Sequence, residues 1–261
     1  MVRVRAGVRL AGVVVMLLIG ALIILPAALL PGRVGGVRPA LWPARGLAAV
    51  LCRLLGVQIR CAGPAQFRHP RLLILPNHSS LLDGLVLLAV TPVRFLAAAE
   101  VARYPVIGWL ARAIDTVFVA RADQASRRQA RSAIAAALLA APFPPLVIFP
   151  EGRLGPGDRL LPFRYGAFVV AAEQGIGFVP CALRYCPQAA AVWRGGEGEA
   201  LWTAAWRLAC SPQPVVAEVL PLALVTPSAE GDPQVLAETA RRDLAAALGI
   251  DPEPVARAAA G

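Results

Sequence analysis

Arg71-Leu-Leu-Ile-Leu-Pro-Asn-His-Ser-Ser-Leu-Leu-Asp-Gly84 is the stretch that decides the fold. Leu72–Leu75 is apolar at every position, as a strand buried on both faces must be. Pro76 closes it, Asn77, Ser79 and Ser80 are turn formers, and Asp83 suits the first turn of a helix. Further apolar runs predict strands at Arg94–Ala97, Thr116–Val119, Leu146–Phe149 and Phe178–Leu183, with a late strand in Pro214–Leu224. The segments between them read as helices. The clearest is Asp123–Leu139, with Asp123 as its cap and Arg127, Arg128 and Arg131 as a polar surface stripe. Alternating strands and helices of these lengths predict an α/β fold, a mainly parallel sheet flanked by helices. Asp232–Leu248 reads as a last amphipathic helix, and the Ala-rich tail after Pro254 as loose.

Ahead of this body the composition changes. Leu10–Gly32 carries no charge and is long enough to cross a bilayer, while hydrophobic residues make up 57% of the 261-residue chain at a mean hydropathy of +0.62. A retained membrane helix fits better than a secretory signal, whose apolar region runs to only about 7–15 residues. A helix broken at Pro26 would instead dip into one leaflet and return, with Leu47–Val57 lying in the interface as the second member of a pair. The divisions expected are 1–57 as a membrane-anchoring segment, 58–225 as the α/β domain, and 226–261 as the C-terminal helix and tail.

All 26 basic residues are arginine against 16 acids, a net charge of +10, and arginine forks suit phosphate groups. With 6% aromatic residues and no zinc-finger or RNA-recognition signature, nucleic acid is not an expected partner. Cys52, Cys61, Cys181, Cys186 and Cys210 form no CxxC pair and read as small buried hydrophobes. No metal or redox cofactor is expected. His69, beside Pro70, reads as a solvated loop residue.

His78 and Asp83 carry the chemistry. Mid-helix, a spacing of five leaves two side chains roughly 140° apart, so a turn must bring them together. With His78 in the loop and Asp83 in the first helical turn, the carboxylate accepts from one ring nitrogen and the other is left as a general base for a hydroxyl. The spacing alone is weak. With two histidines and 16 acids, it arises by chance in roughly one such sequence in eight. A second element strengthens it: Phe149-Pro-Glu-Gly-Arg153 also ends an apolar strand, where open α/β sheets form ligand crevices.

Taken in order, Asn77-His78-x4-Asp83, Glu100-x3-Tyr104-Pro105-x2-Gly108-Trp109, Val117-Phe118-Val119-x-Arg121, Phe149–Gly152 and Val179-Pro180-x-Ala182-Leu183 resemble the glycerolipid acyltransferase family, including 1-acyl-glycerol-3-phosphate acyltransferases. The resemblance implies the acyltransferase-type fold, with His78 as general base oriented by Asp83. It implies that Asn77, Arg121, Glu151 and Gly152, with Arg153 and Arg164, bind substrate. Backbone N–H groups around Ser79 and Ser80 are the expected oxyanion donors.

The implied reaction moves a fatty acyl group from acyl-CoA or acyl carrier protein to a lysolipid hydroxyl, first of all that of 1-acyl-sn-glycerol-3-phosphate, giving phosphatidic acid. The acceptor enters sideways from the membrane, and the catalytic domain faces the cytoplasm at a bacterial inner membrane. Departures bear on the acceptor. Gly152 is followed by Arg153-Leu154 where the family commonly has Thr-Arg, and Asp115 stands where glycine is usual. An acid close to a phosphate pocket would weaken it, unless it pairs with a neighbouring arginine. The loop and the Trp193, Trp202 and Trp206 segment are similar to lyso-ornithine lipid acyltransferases, whose acceptor lacks phosphate. A third reading is a non-catalytic lipid-binding protein.

Overall fold

The computed structural model describes residues 2–120, 124–195, 199–228 and 230–252. Its helices are α1 (Val2–Leu29), α2 (Leu41–Leu54), α3 (Asp83–Val90), α4 (Ile107–Ala113), α5 (Gln124–Ala140), α6 (Gly166–Gln174), α7 (Gln188–Ala191), α8 (Leu201–Ala209) and α9 (Pro233–Leu248). Its strands are β1 (Val57–Cys61), β2 (Leu73–Pro76), β3 (Arg94–Ala98), β4 (Val117–Val119), β5 (Leu146–Val147), β6 (Arg159–Leu160), β7 (Phe178–Cys186), β8 (Val215–Pro221) and β9 (Asp251–Pro252). Seven strands form one sheet in the order β1-β8-β7-β2-β5-β3-β4, parallel throughout except between β7 and β8. The expected α/β class with a mainly parallel sheet is the one observed.

Period-two alternation divides the core. Ile74, Val147, Val179 and Leu183 face the layer containing α2 and α3, whereas Leu73, Leu75, Leu146 and Ala182 face the layer containing α5, α6 and α9. Strands β2 and β5, and β7 as far as Leu183, are therefore apolar at every position, which is what makes them legible. The C-terminal helix is part of this body: Ala237, Ala240, Leu244 and Ala245 are buried against the sheet.

Three expectations need correction. Helix α1 runs through Pro26 to Leu29 without a break. Leu47–Val57 is not an interfacial membrane segment: Leu47, Leu51, Cys52, Leu55 and Val57 are buried in the core, because the apolar face of α2 packs on α3 and the sheet. Of the cysteines, Cys186 is exposed rather than buried, and Cys61 and Cys210 are half-buried. Burial does push the thiol of Cys52 up, to about 12, and that of Cys181 up further, so neither is a nucleophile near neutral pH. The Asp123 cap and the tail after Pro254 lie outside the described residues.

Helix α1 lies along the body. At one end Arg5 and Arg9 donate to the carbonyls of Ser211 and Ala209, at the C-terminus of α8; at the other, Arg38 donates to Ala28 O. Between them Gly20 lets Leu47 of α2 approach so closely that an added Cβ would sit 2.4 Å from its side chain. The outward side of α1 keeps Val8, Val15, Leu18 and Leu22 exposed.

Candidate functional site

The site sits at the C-terminal end of β2, beside its neighbours β5 and β7. Pro76 ends the ladder, and Asn77 fastens the departing chain to β7: its Nδ2 donates to Leu183 O at 3.0 Å, and its Oδ1 accepts from Leu183 N at 2.7 Å. The turn from His78 to Leu82 then delivers Asp83 to the first turn of α3.

Asp83 is fully buried, and both of its oxygens accept hydrogen bonds. Oδ2 accepts from Ser79 N at 2.8 Å, from Ser80 N at 2.9 Å and from His78 Nδ1 at 2.8 Å; Oδ1 accepts from the Tyr185 hydroxyl at 2.6 Å. An ionised carboxylate only accepts, so Nδ1 carries the imidazole proton and Nε2 is the basic nitrogen. The ring stacks on Phe149, with centroids 4.0 Å apart, and lines a cavity of about 400 Å³ whose wall is mostly apolar, including Phe95, Ala98, Ile107 and Ala111, and also carries Thr116. A base fixed by a buried acid and opening on a greasy pocket can deprotonate an alcohol borne by a lipid.

The assignment of Ser79 and Ser80 N–H groups as oxyanion donors is overturned: both are held by Asp83. Asn77 and Glu151, expected on the substrate, are occupied by the protein's own backbone. Glu151 Oε1 accepts from His78 N at 2.7 Å and Oε2 from Leu161 N at 3.1 Å, bracing the histidine loop against the following segment. Gly152, with φ +73°, turns the chain at the cavity wall, where Arg164 crosses it. Arg164 lines a second cavity of about 420 Å³ that shares Leu96, Phe149 and Gly152 with the first. Arg153 is exposed on the turn beyond. Arg121 lies outside the described residues.

Two residues of the site were not anticipated. Tyr185, seven residues beyond the Phe178 strand start, carries no local motif; only the β7 register brings it to Asp83. Arg131, read as part of a surface stripe, lines the second cavity, as Arg164 does. Asp115 faces neither cavity: it pairs with Arg38 at 2.7 Å. Among the described residues no cluster of three or more His, Cys, Asp or Glu side chains could hold a metal.

Burial raises the Glu151 carboxyl to about 7 from an ordinary 4.5, the two backbone donors opposing only part of the shift. Between those values the unfolded chain ionises while the folded one stays protonated, so stability falls as pH rises from about 4.5 to 7. We expect Glu151→Gln to remove a slope whose full amplitude is of order 3 kcal/mol. Denaturation midpoints at pH 5 and pH 7.5 test this, and parallel profiles for parent and variant would refute it.

Tyr185 is wholly buried, and its phenol is held well above 10 by that burial and by Asp83, so it remains a donor at any working pH. Tyr185→Phe is expected to lower kcat about tenfold with KM unchanged, because the ring still packs but Asp83 loses one of its anchors. A rise in KM without loss of kcat would contradict that positioning role.

The acyltransferase family model matches residues 58–184. The chain is 31% identical over 210 residues, 78% of its length, to human lysophospholipid acyltransferase LPCAT4, and covers 39% of that protein. It is 38% identical over 143 residues to the lyso-ornithine lipid O-acyltransferase of Brucella abortus (strain 2308), 52% of each chain. The chain thus spans about half or less of the length of these curated relatives. The crystal structure of the 1-acyl-sn-glycerophosphate acyltransferase PlsC from Thermotoga maritima superposes with a TM-score of 0.73 at 17% identity, covering 95% of this chain and 97% of that one, and so shares its fold.

Proposed function

We propose that this chain, whose residues 58–184 match the acyltransferase family model, moves a fatty acyl group from acyl-CoA or acyl carrier protein to the free hydroxyl of a lysolipid. The observation that carries the reading is the His78–Asp83 pair, 2.8 Å apart, with His78 lining an apolar cavity. Nε2 of His78 takes the hydroxyl proton as the oxygen attacks the thioester carbonyl; the C–S bond then breaks, and the leaving thiolate takes the proton back from the imidazolium. Direct transfer of this kind needs no acyl-enzyme.

The membrane holds the body through α1. Its 28 residues exceed a bilayer's hydrocarbon thickness by about 10 Å, and both of its ends are tied to the domain, so it lies in one leaflet with its apolar side outward. The arginines favour the anionic cytoplasmic surface of a bacterial inner membrane.

The acceptor proposed is 1-acyl-sn-glycerol-3-phosphate. Arg131 and Arg164 line the second cavity, and Asp115, the acid that would have opposed a phosphate, is neutralised by Arg38. Lyso-ornithine lipid is the second reading, favoured by Arg153-Leu154 in place of Thr-Arg and by the Brucella relative. An acceptor screen on membranes carrying the overproduced protein, read by mass analysis of lipid products, separates them. Phosphatidic acid supports the first reading, and ornithine lipid as sole product overturns it.

A further inference from the structure

Helix α4 separates two apolar hollows. Ile107, Ala111 and Ile114, spaced by four and three, line the cavity beside His78. Trp109, Arg112 and Ala113, on another side of the same helix, line a groove of about 530 Å³ whose far wall is Leu25, Ala28 and Leu29 of α1. The groove is continuous with the outward apolar side of α1, where Leu22 and Leu29 are exposed. Ile107 is 53% exposed while lining the catalytic cavity, which places it at the cavity mouth.

The chain entering α4 is both greasy and strained. Tyr104 and Trp109 are 52% and 51% exposed, and Arg103 and Arg112 flank them. This is the composition of a segment at a membrane–water boundary, aromatic rings at the headgroup level with cations beside them. Val106 adopts φ +61°, ψ −58°, with Ile107 N donating to Pro105 O at 2.6 Å: a γ-turn in its uncommon, strained form, on a β-branched residue. Gly108 keeps the turn tight, since an added Cβ would lie 2.4 Å from Ala102 O. Strain of this kind persists where surrounding structure holds it, and it concentrates at ligand clamps and moving segments.

We propose that Tyr104–Ala113 is a second bilayer contact and the gate between membrane and active site. Its Tyr104 and Trp109 side rests in the leaflet that holds α1, and its Ile107 side closes the mouth through which a lysolipid chain slides to His78. This rests on the lysolipid acyltransferase reading, and on a bilayer as occupant of the groove, because the groove joins an apolar helix face too large to be left to water.

Hydrogen–deuterium exchange of the intact chain, with and without vesicles of phosphatidylglycerol and phosphatidylethanolamine, tests the contact without any variant. Residues 104–113 should gain protection together with α1; protection of α1 alone overturns the proposal. The gate is tested with Y104S/W109S. The ratio of transfer rate on vesicle-embedded lysolipid to that on a short-chain lysolipid dissolved as monomer should fall about tenfold. An unchanged ratio overturns the gate. Parent protein that acylates neither lysolipid sinks the enzymatic reading instead, while the exchange arm still decides the contact.

Discussion

Replacing His78 by alanine is expected to reduce acyl transfer by about 10³-fold or more while the protein still binds membranes and melts near the parent temperature. The size of the effect follows from what the ring does under the proposed mechanism. A lysolipid hydroxyl is too weak an acid to attack a thioester at neutral pH unaided, and general-base assistance contributes about 10²–10⁴-fold. Little else should change. The ring contributes one hydrogen bond to Asp83, which keeps its other three donors, and a stacking contact with Phe149. No residue of α1 is among those lining the His78 cavity, so vesicle co-sedimentation is the internal control. A variant that sediments normally but transfers at the parent rate would show that His78 is not the base.

Legibility followed locality. The strand–turn–helix of residues 71–84 could be read because β2, buried on both faces, is apolar at each position and because the turn formers are adjacent in sequence. Edge strand β1 was not read: Val57-Gln58-Ile59-Arg60-Cys61 alternates, since only one of its sides is buried, and it follows a helix whose apolar side looked like a membrane segment. The two apolar helices α1 and α2 differ in the partner of that side. Leu47 and Leu51 meet the core while Leu18 and Leu22 meet none of it, and hydropathy does not encode the partner.

In the site, residue types were legible and their partners were not. Asn77, Glu151 and the Ser79 and Ser80 N–H groups have the chemistry to hold a substrate, yet each serves the loop instead. A chain leaving a strand must satisfy its backbone donors somewhere, and buried side chains nearby are the cheapest acceptors. Tyr185 was invisible for the complementary reason: its partner lies 102 residues away, supplied by the pairing of β2 with β7.

Asp83→Asn is expected to cost both folding and chemistry, and the combination distinguishes it from the histidine variant. The carboxylate accepts four hydrogen bonds in a site with no exposure. Asparagine keeps one accepting oxygen and turns an NH₂ toward groups that are themselves donors, so whichever way the amide is oriented at least one buried donor loses its acceptor. If the amide nitrogen replaces Oδ2, the Ser79 and Ser80 N–H groups are stranded and His78 must switch tautomer, leaving its proton on Nε2, where the base is needed. If it replaces Oδ1, the Tyr185 hydroxyl faces a donor instead of the oxygen that accepts its hydrogen. Removing one side of such a network costs about 3 kcal/mol, and a misprotonated or misaligned base costs about 10³-fold in rate. Thermal denaturation alongside single-turnover transfer checks both halves. The His78–Asp83 account fails if the variant melts with the parent and transfers at a comparable rate, since a neutral amide would then do all that the buried carboxylate is held there to do.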